Sequence, residues 1–150
     1  MWLDVLAGAT AALTVLNGGV FFAFSTFVVP GARRLPPVEA VHAFQAINAA
    51  VPRSLYLPVF LFSGIGGLAT GVAGLVAGQW WYLGGGAGAF VALLVSCAVN
   101  IPRNNALDAV PDADAAAGWA TYIGPWAAWN HVRMLLCLVA TGLLVVGLFG

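Results

Sequence analysis

Residues 55–99 read LYLPVFLFSGIGGLATGVAGLVAGQWWYLGGGAGAFVALLVSCAV, and none of them is Asp, Glu, Lys or Arg. An apolar run from about Leu55 to Gly78 turns at Gln79-Trp80-Trp81-Tyr82, and a second run continues to about Val99. A helix needs roughly 20 apolar residues to cross a bilayer, and lipid offers no partner for unpaired backbone groups. The stretch therefore predicts two membrane-spanning helices joined as a tight hairpin.

Two further apolar stretches flank this hairpin. The first runs from about Leu3 to Val29, and the last starts between Pro125 and Asn130 and ends at Gly150. Of the 150 residues, 62% are hydrophobic and 7% are charged, whereas an ordinary soluble domain has about 25% charged residues. The chain is therefore predicted to be all-α: a four-transmembrane-helix bundle that forms one integral membrane domain over residues 1–150, with both termini on one side.

The charged residues indicate partners and orientation. Five acidic residues balance five basic ones, all of them Arg, so the partner is expected to be the lipid bilayer and not nucleic acid. Every arginine lies in or beside the two longer connections, 30–54 and 100–128: Arg33, Arg34, Arg53, Arg103 and Arg133. The positive-inside rule then places these connections in the cytoplasm and both termini outside, in a cytoplasmic membrane.

Each longer connection is expected to contain a helix. Pro36-Pro37-Val38-Glu39 is typical of a helix start, and the sequence predicts an interfacial or re-entrant helix from there to about Val51. In the second connection we expect a short helix from about Asp112 or Asp114 to Tyr122, ended by Gly124-Pro125. Beyond the third span, the helix either continues past Pro102 or restarts there with Asn100 as its cap.

Small residues recur every four positions in the hairpin, a pattern that lets membrane helices pack closely. They are Ser63, Gly67 and Gly71 in the second span, and Gly84, Gly88, Ala92 and Ser96 in the third. We predict that these stripes pack the hairpin and carry no chemistry. A bundle with such stripes either closes on itself or forms a homo-oligomer.

Several polar residues lie where a lipid-embedded chain should avoid them. In the first span, Asn17 shares one face with Phe21, Phe24 and Ser25, and it needs a hydrogen-bond partner in another helix. That partner is either purely structural or part of a pocket wall. At the end of the third span, Asn100, Arg103, Asn104 and Asn105 lie near Asp108, which is more hydrogen-bonding capacity than a helix cap requires. Plain capping and turn chemistry is the alternative.

Two more groups of residues are candidates. In the first connection Gln45 and Asn48 flank the apolar Val41 and Phe44, while His42 is as consistent with a surface residue as with a functional one. Residues 126–137 place Trp126, Trp129, Asn130, Arg133 and Cys137 on one helix face, with His131 at its edge. The alternative is an interfacial aromatic belt in which Arg133 reaches toward lipid headgroups.

From about Val20 to the C-terminus the chain resembles the anthrone oxygenase family of small four-helix membrane proteins. The resemblance is carried by Phe21-Phe22-Ala23-Phe24-Ser25 with Val29-Pro30-Gly31, by Phe44-Gln45-Ala46-Ile47-Asn48, by residues 100–108 (NIPRNNALD) and by Trp126-x-x-Trp129-Asn130-His131-Val132-Arg133. Named members of that family are fungal enzymes that oxidise an anthrone to an anthraquinone. The resemblance implies the reaction type more directly than the substrate.

The residues suit such chemistry without a cofactor, because a deprotonated anthrone reacts with dioxygen directly. Our hypothesis makes His131 the base, with His42 in reserve, and has Arg133, Asn130 and Asn104 stabilise the oxyanion. The flat aromatic substrate would lie among Trp126, Trp129, Phe21 and Phe24. The remaining candidate substrate-binding residues are Asn17, Ser25, Gln45, Asn48, Asn100 and Arg103.

Two alternatives stay open. His131 and His42, with Asp108 or Glu39, form a candidate two-histidine site for non-haem iron or copper, although no ligand spacing supports it. The second alternative is a non-enzymatic membrane module that binds a small aromatic molecule or a lipid. Proton-coupled transport is disfavoured because no acidic residue lies deep within a span.

Overall fold

A computed structural model describes residues 1–150, and it contains helices and no β-strand. The helices are α1 (Trp2–Ala32), α2 (Pro37–Ala50), α3 (Tyr56–Val76), α4 (Trp80–Asp108) and α5 (Ala115–Phe149). All but α2 are long and apolar enough to cross a membrane. The predicted all-α four-span bundle is confirmed, and the chain fits a multi-pass membrane protein.

The four long helices form a ring in which α1 packs on α3, α3 on α4, α4 on α5, and α5 on α1. Met1 and Gly150 lie beside Gln79 in the α3–α4 turn, where they line one small hollow. Both termini are therefore at one end of the bundle, as predicted, and both long connections are at the other. We call these the turn end and the connection end.

The turn end is held closed by glycines. A Cβ added to Gly86 in α4 would lie 2.4 Å from the backbone nitrogen of Gly71 and 2.5 Å from the carbonyl oxygen of Gly67, both in α3. The two backbones are thus in direct contact, which only glycine allows. Gly78, at the turn itself, has a φ of 70° that other residues rarely adopt.

The predicted small-residue stripe is correct for α3 but wrong in part for α4. A Cβ at Gly84 or Gly88 would contact Leu143 at 3.3 Å or Ala140 at 3.1 Å, and both of these neighbours belong to α5. Gly84 and Gly88 therefore pack α4 against α5, while Gly86 makes the hairpin contact. Spacing along α4 identified a small-residue face but not the helix that it meets.

At the connection end, two helices contain one wider π turn each, over Phe24–Val28 in α1 and Ser96–Asn100 in α4. A proline follows two residues after each turn, at Pro30 and Pro102. Because proline has no N–H, the ordinary ladder is interrupted there, and the wider turn lets the helix continue. Of the two alternatives for α4, continuation past Pro102 is confirmed.

The connections differ from the sequence prediction in one respect. Helix α2 begins at Pro37 as predicted, while its position in the membrane interface stays a prediction. The short separate helix ending at Gly124-Pro125 is wrong, because α5 runs unbroken for 35 residues with Pro125 inside it. The predicted helix start near Asp114 is correct, so the helix of the fourth span begins there and not between Pro125 and Asn130. Side chains on both sides of Pro125 are buried, and neighbouring helices can hold such a segment in place despite the missing hydrogen bond.

Three side chains of α2 make four polar contacts with the end of α4 and the α4–α5 connection. His42 Nε2 is 2.7 Å from the Asp112 carboxylate, and Asn48 Nδ2 donates to Asp108 at 2.9 Å. Gln45 donates to the carbonyl oxygens of Leu107 and Val110 at 3.0 and 3.2 Å, which satisfies the free end of α4. Helix α2 is thereby fixed across the connection end, where it covers the interior of the bundle.

Candidate functional site

A cavity of about 500 Å³ lies at the connection end, and all five helices contribute to its wall. This volume is within the usual range for small-molecule sites. The lining residues are Val20, Phe21, Phe24, Phe44, Ile47, Asn48, Ala49, Val51, Pro52, Tyr56, Leu57, Phe60, Ser96, Asn100, Ile101, Asn104, Asn105, Asp108, Trp126, Asn130 and Arg133. Both π turns contribute to this wall, through Phe24 and through Ser96 and Asn100.

One wall of the cavity is aromatic. Phe24, Phe44 and Trp126 line it, with ring centroids 5.5 to 6.1 Å apart. Trp119 and Tyr122 lie behind Phe44 at 5.1 and 5.9 Å and hold its ring edge-on. Such tilted and edge-to-face contacts make the wall rigid, and a rigid aromatic wall suits a flat apolar ligand.

Arg133 brings a cation into this apolar cavity. It is only 6% exposed, and its Nη1 and Nη2 donate to Ser96 Oγ at 3.1 Å and to Asn130 Oδ1 at 2.9 Å. Its guanidinium carbon lies 4.2 Å from the centre of the Phe21 ring. The close contacts between carboxylates and basic groups are Met1 with Asp4 and His42 with Asp112, so no carboxylate neutralises Arg133. A buried cation without a counter-ion is costly, and it attracts an anionic ligand.

Asn130 connects Arg133 to α1. Its Nδ2 donates to the carbonyl oxygen of Phe21 and to Ser25 Oγ, each at 2.8 Å, while its Oδ1 accepts from Arg133. All of its hydrogen-bonding groups are used, so the orientation of the amide is fixed. Arg133 is therefore held by α4 and α5 directly and by α1 through Asn130.

Asn104 and Asn100 are two further lining amides that the sequence identified. Asn104 Oδ1 accepts from the Tyr122 hydroxyl at 3.0 Å and from Trp126 Nε1 at 2.7 Å, which fixes the indole in the aromatic wall. Asn100 Nδ2 donates to the carbonyl oxygen of Trp126 at 3.3 Å, and its Oδ1 is buried without a partner. Both amides thus position Trp126.

The predicted site residues separate into two groups. The structure brings these together around the cavity: Phe21, Phe24, Asn48, Asn100, Asn104, Trp126, Asn130 and Arg133. It places these outside the lining: Asn17, Ser25, His42, Gln45, Arg103, Trp129 and His131.

The two histidines lie away from the cavity. His131 is exposed on α5, with Nδ1 2.6 Å from Ser25 Oγ. The His42 side chain is 54% exposed and pairs with Asp112. No group of three His, Cys, Asp or Glu side chains is close enough to form a metal site. The two-histidine arrangement considered from the sequence is therefore not assembled.

The other outlying residues have structural contacts. Asn17 donates to Ser63 at 3.0 Å and accepts from the Tyr56 hydroxyl at 2.7 Å, which confirms the partner predicted in another helix. Arg103 donates to the carbonyl oxygen of Val99, in its own helix. Trp129 is 38% exposed and turned away from the lining face of α5, as in the aromatic-belt alternative.

The candidate site residues chosen from the sequence omit four lining residues with polar side chains: Tyr56, Ser96, Asn105 and Asp108. Ser96 was assigned to a packing stripe without chemistry, and this is wrong because its hydroxyl accepts from Arg133. Tyr56 begins α3, where an aromatic residue is easily taken for part of the apolar span. Asp108 was noted beside the amides of residues 100–108, but the only role considered for it was that of a metal ligand. It is the one carboxylate in the lining, and Asn48 orients it.

Comparison with known families gives a match to the anthrone oxygenase family model over residues 41–143. No curated protein and no solved structure matches the chain significantly. The matched region covers more than half of the chain, from α2 into α5, and includes Asn104, Asn130 and Arg133. This is an anthrone oxygenase-like membrane protein, and the chain belongs to the anthrone oxygenase family.

Proposed function

We propose that the cavity binds a flat phenolic or anthrone-type molecule and promotes its oxidation by dioxygen, with no cofactor. The observation that carries the proposal is Arg133, a buried cation without a counter-ion in the wall of an aromatic cavity. An anthrone develops its negative charge on the carbonyl oxygen when its methylene group loses a proton. A fixed cation in an apolar site stabilises such charge strongly.

The reaction balances with dioxygen alone. A base removes one methylene proton, and the resulting carbanion, whose charge is shared with the carbonyl oxygen, transfers electrons to dioxygen and forms a carbon hydroperoxide. Loss of the second C–H proton and cleavage of the O–O bond then give the quinone carbonyl and one water. The carbon is oxidised, dioxygen is reduced, and the base is regenerated.

For the base, the geometry favours Asp108 over the sequence-based candidates His131 and His42. A general base must reach the proton directly or through one water. Neither histidine lines the cavity, whereas Asp108 does, at the end of α4. Asp108 is also exposed, so that it can exchange the proton with solvent.

The amides have supporting roles in this proposal. Asn130 and Ser96 hold the guanidinium of Arg133 against Phe21, so the cation does not need to reorganise when the oxyanion forms. Phe24, Phe44 and Trp126 provide the surface for the flat rings.

For localisation we propose the cytoplasmic membrane, with the connection end on the cytoplasmic side. The support is the position of the arginines, since Arg33, Arg34 and Arg53 are exposed at that end. The partners in this proposal are the aromatic substrate, dioxygen and the bilayer. Assembly into a homo-oligomer remains a prediction.

A binding module that does not catalyse is the second candidate, and the absence of histidine from the cavity lining favours it. Such a protein would hold an aromatic anion against Arg133 and release it unchanged. The two candidates differ in whether the bound compound is consumed together with oxygen.

The test is oxygen uptake by the purified, metal-stripped protein in detergent with an anthrone, measured against spontaneous oxidation without protein. Uptake well above that background, with quinone as the product, is the expected result. Binding of the anthrone with background uptake would favour the binding module. Uptake that depends on added iron or copper would overturn the cofactor-independent mechanism.

A further inference from the structure

His131 lies outside the cavity but reaches Arg133 through a continuous chain of hydrogen bonds. The chain runs from His131 Nδ1 to Ser25 Oγ at 2.6 Å, from Ser25 Oγ to Asn130 Nδ2 at 2.8 Å, and from Asn130 Oδ1 to Arg133 Nη2 at 2.9 Å. It crosses from α5 to α1 and back. It therefore connects the outer surface of the bundle to the cation in the cavity.

The Ser25 hydroxyl differs from three other hydroxyls in these helices that bond to their own backbone. Thr26, Ser96 and Thr121 each donate to the carbonyl oxygen four residues earlier, at 2.7 to 2.9 Å. Ser25 does not: its Oγ lies against Asn130 Nδ2 and His131 Nδ1, and the Phe21 carbonyl four residues earlier accepts from Asn130. Since Ser25 Oγ accepts from Asn130, its single proton is free to go to His131 Nδ1.

We propose that His131 is a positioning residue for Arg133, acting as the acceptor that keeps the Ser25 proton away from the Phe21 carbonyl. With His131 in place, both Phe21 and Ser25 offer only acceptors to Asn130 Nδ2. The amide then has one stable orientation, with Oδ1 toward Arg133. This proposal rests on the oxyanion-binding role proposed above for Arg133.

Removing His131 releases the Ser25 proton to its own helix. The Ser25 hydroxyl can then donate to the Phe21 carbonyl and compete there with Asn130. Thr26 and Ser96 already donate in this way to the carbonyl oxygen four residues earlier. Asn130 loses part of its fixed orientation, and Arg133 loses part of its support. The effect falls on stabilisation of the oxyanion and leaves the aromatic wall unchanged.

The test compares His131→Ala with His131→Asn, whose side-chain oxygen can accept in place of Nδ1, and with Val132→Ala, an exposed neighbour on α5. We expect kcat for anthrone oxidation to fall about tenfold in His131→Ala, with KM changed less than about twofold. His131→Asn should stay within about threefold of the wild type, and Val132→Ala should be unaffected.

A variant of Ser25 tests whether the loss of kcat in His131→Ala comes from the hydrogen bond between His131 and Ser25. Ser25→Ala should lose as much kcat as His131→Ala, and the double variant should lose no more than either, because both changes remove one shared interaction. Additive losses would overturn the proposal. So would equal activity of His131→Ala and Val132→Ala. A loss in His131→Asn as large as that in His131→Ala would also overturn it, since it would indicate that His131 moves a proton.

Two spectroscopic measurements do not depend on turnover. A bound hydroxyanthraquinone, which changes colour on ionisation, should ionise about one pH unit higher in His131→Ala than in the wild type. Nitrogen NMR of labelled histidine should show His131 with Nδ1 as an unprotonated acceptor, and this signal should move in Ser25→Ala. A wild-type protein without oxygen uptake would overturn the proposed function. The NMR result would still decide whether His131 accepts the Ser25 proton. A protonated Nδ1 that does not respond to Ser25→Ala would overturn the proposed positioning role of His131.

Discussion

The turn end and the connection end of the bundle use opposite kinds of residues. At the turn end, Gly71 and Gly86 bring the backbones of α3 and α4 into contact. At the connection end, Phe24, Phe44 and Trp126 keep the helices apart around a cavity. In lipid, helices associate through close packing and not through exclusion of water. Tight packing at one end therefore allows the other end to contain a cavity and a buried charge.

Backbone regularity differs between the ends in the same way. The two π turns and their prolines are both at the connection end. Wider turns leave the backbone irregular, and such turns are common at functional sites. Each of the following substitutions alters one side of this comparison, from the largest expected effect to the smallest.

Replacing the cavity cation should have the largest effect. Arg133→Gln keeps a hydrogen-bonding side chain but removes the charge, and we expect the rate of anthrone oxidation to fall about 1000-fold. The control is Arg103→Gln, a half-buried arginine of α4 that lies outside the lining. Oxygen uptake measures both variants, and equal activities would remove Arg133 from the mechanism.

Replacing Asp108, the base proposed at the end of α4, should have the second largest effect. Asp108→Asn retains the contact with Asn48 but cannot take a proton, so we expect a loss of about 100-fold in kcat. Asp114→Asn, another acidic residue at the same end but outside the lining, is the control. If Asp108→Asn retained full activity while His131→Asn did not, the sequence-based choice of His131 as the base would be restored.

A larger side chain at the closed end should loosen the bundle. Gly86→Leu forces α3 and α4 apart, because even a Cβ would overlap the Gly71 backbone, and we expect a loss of about 1–3 kcal/mol in unfolding free energy. Gly142→Leu, where nothing lies within 4 Å of an added Cβ, should be nearly neutral. Thermal unfolding in detergent measures both, and equal melting temperatures would contradict the closed-end packing.

The hydrogen bonds of Asn17 join α1 to α3 in the middle of the bundle, between its two ends. Asn17→Leu leaves the buried Ser63 hydroxyl without its donor and the Tyr56 hydroxyl without its acceptor, and we expect a loss of about 1 kcal/mol. Val15→Ala, on the exposed face of the same helix, serves as the control. A large loss of activity at unchanged stability would instead assign Asn17 to the site.

The smallest effect is expected at the surface of the connection end. His42→Ala removes an exposed contact with the Asp112 carboxylate, and even a fully charged pair at an exposed site contributes only about 0.2–1 kcal/mol. Oxygen uptake should therefore stay close to that of the wild type. A loss comparable to that of Asp108→Asn would return His42 to the list of candidate bases.

Much of the fold was predictable because hydropathy and length are local properties. The four spans, the hairpin and the start of α2 follow from the sequence in this way. The bounds of α5 do not, because Gly124-Pro125 is a strong local breaker that packing on both sides overrides. The partner of Gly84 and Gly88 was also missed, since spacing shows that a face exists but not which helix it meets.

The sequence by itself determined a four-span membrane bundle of the anthrone oxygenase family and a helix face carrying Trp126, Asn130 and Arg133. Only the tertiary structure decided that His131 lies outside the cavity and that Asp108 lies in its wall. The rotation of each helix depends on contacts between residues far apart in the chain, such as Asn130 with Phe21. A π turn also shifts the phase of the residues that follow it, which a regular period of 3.6 residues cannot anticipate.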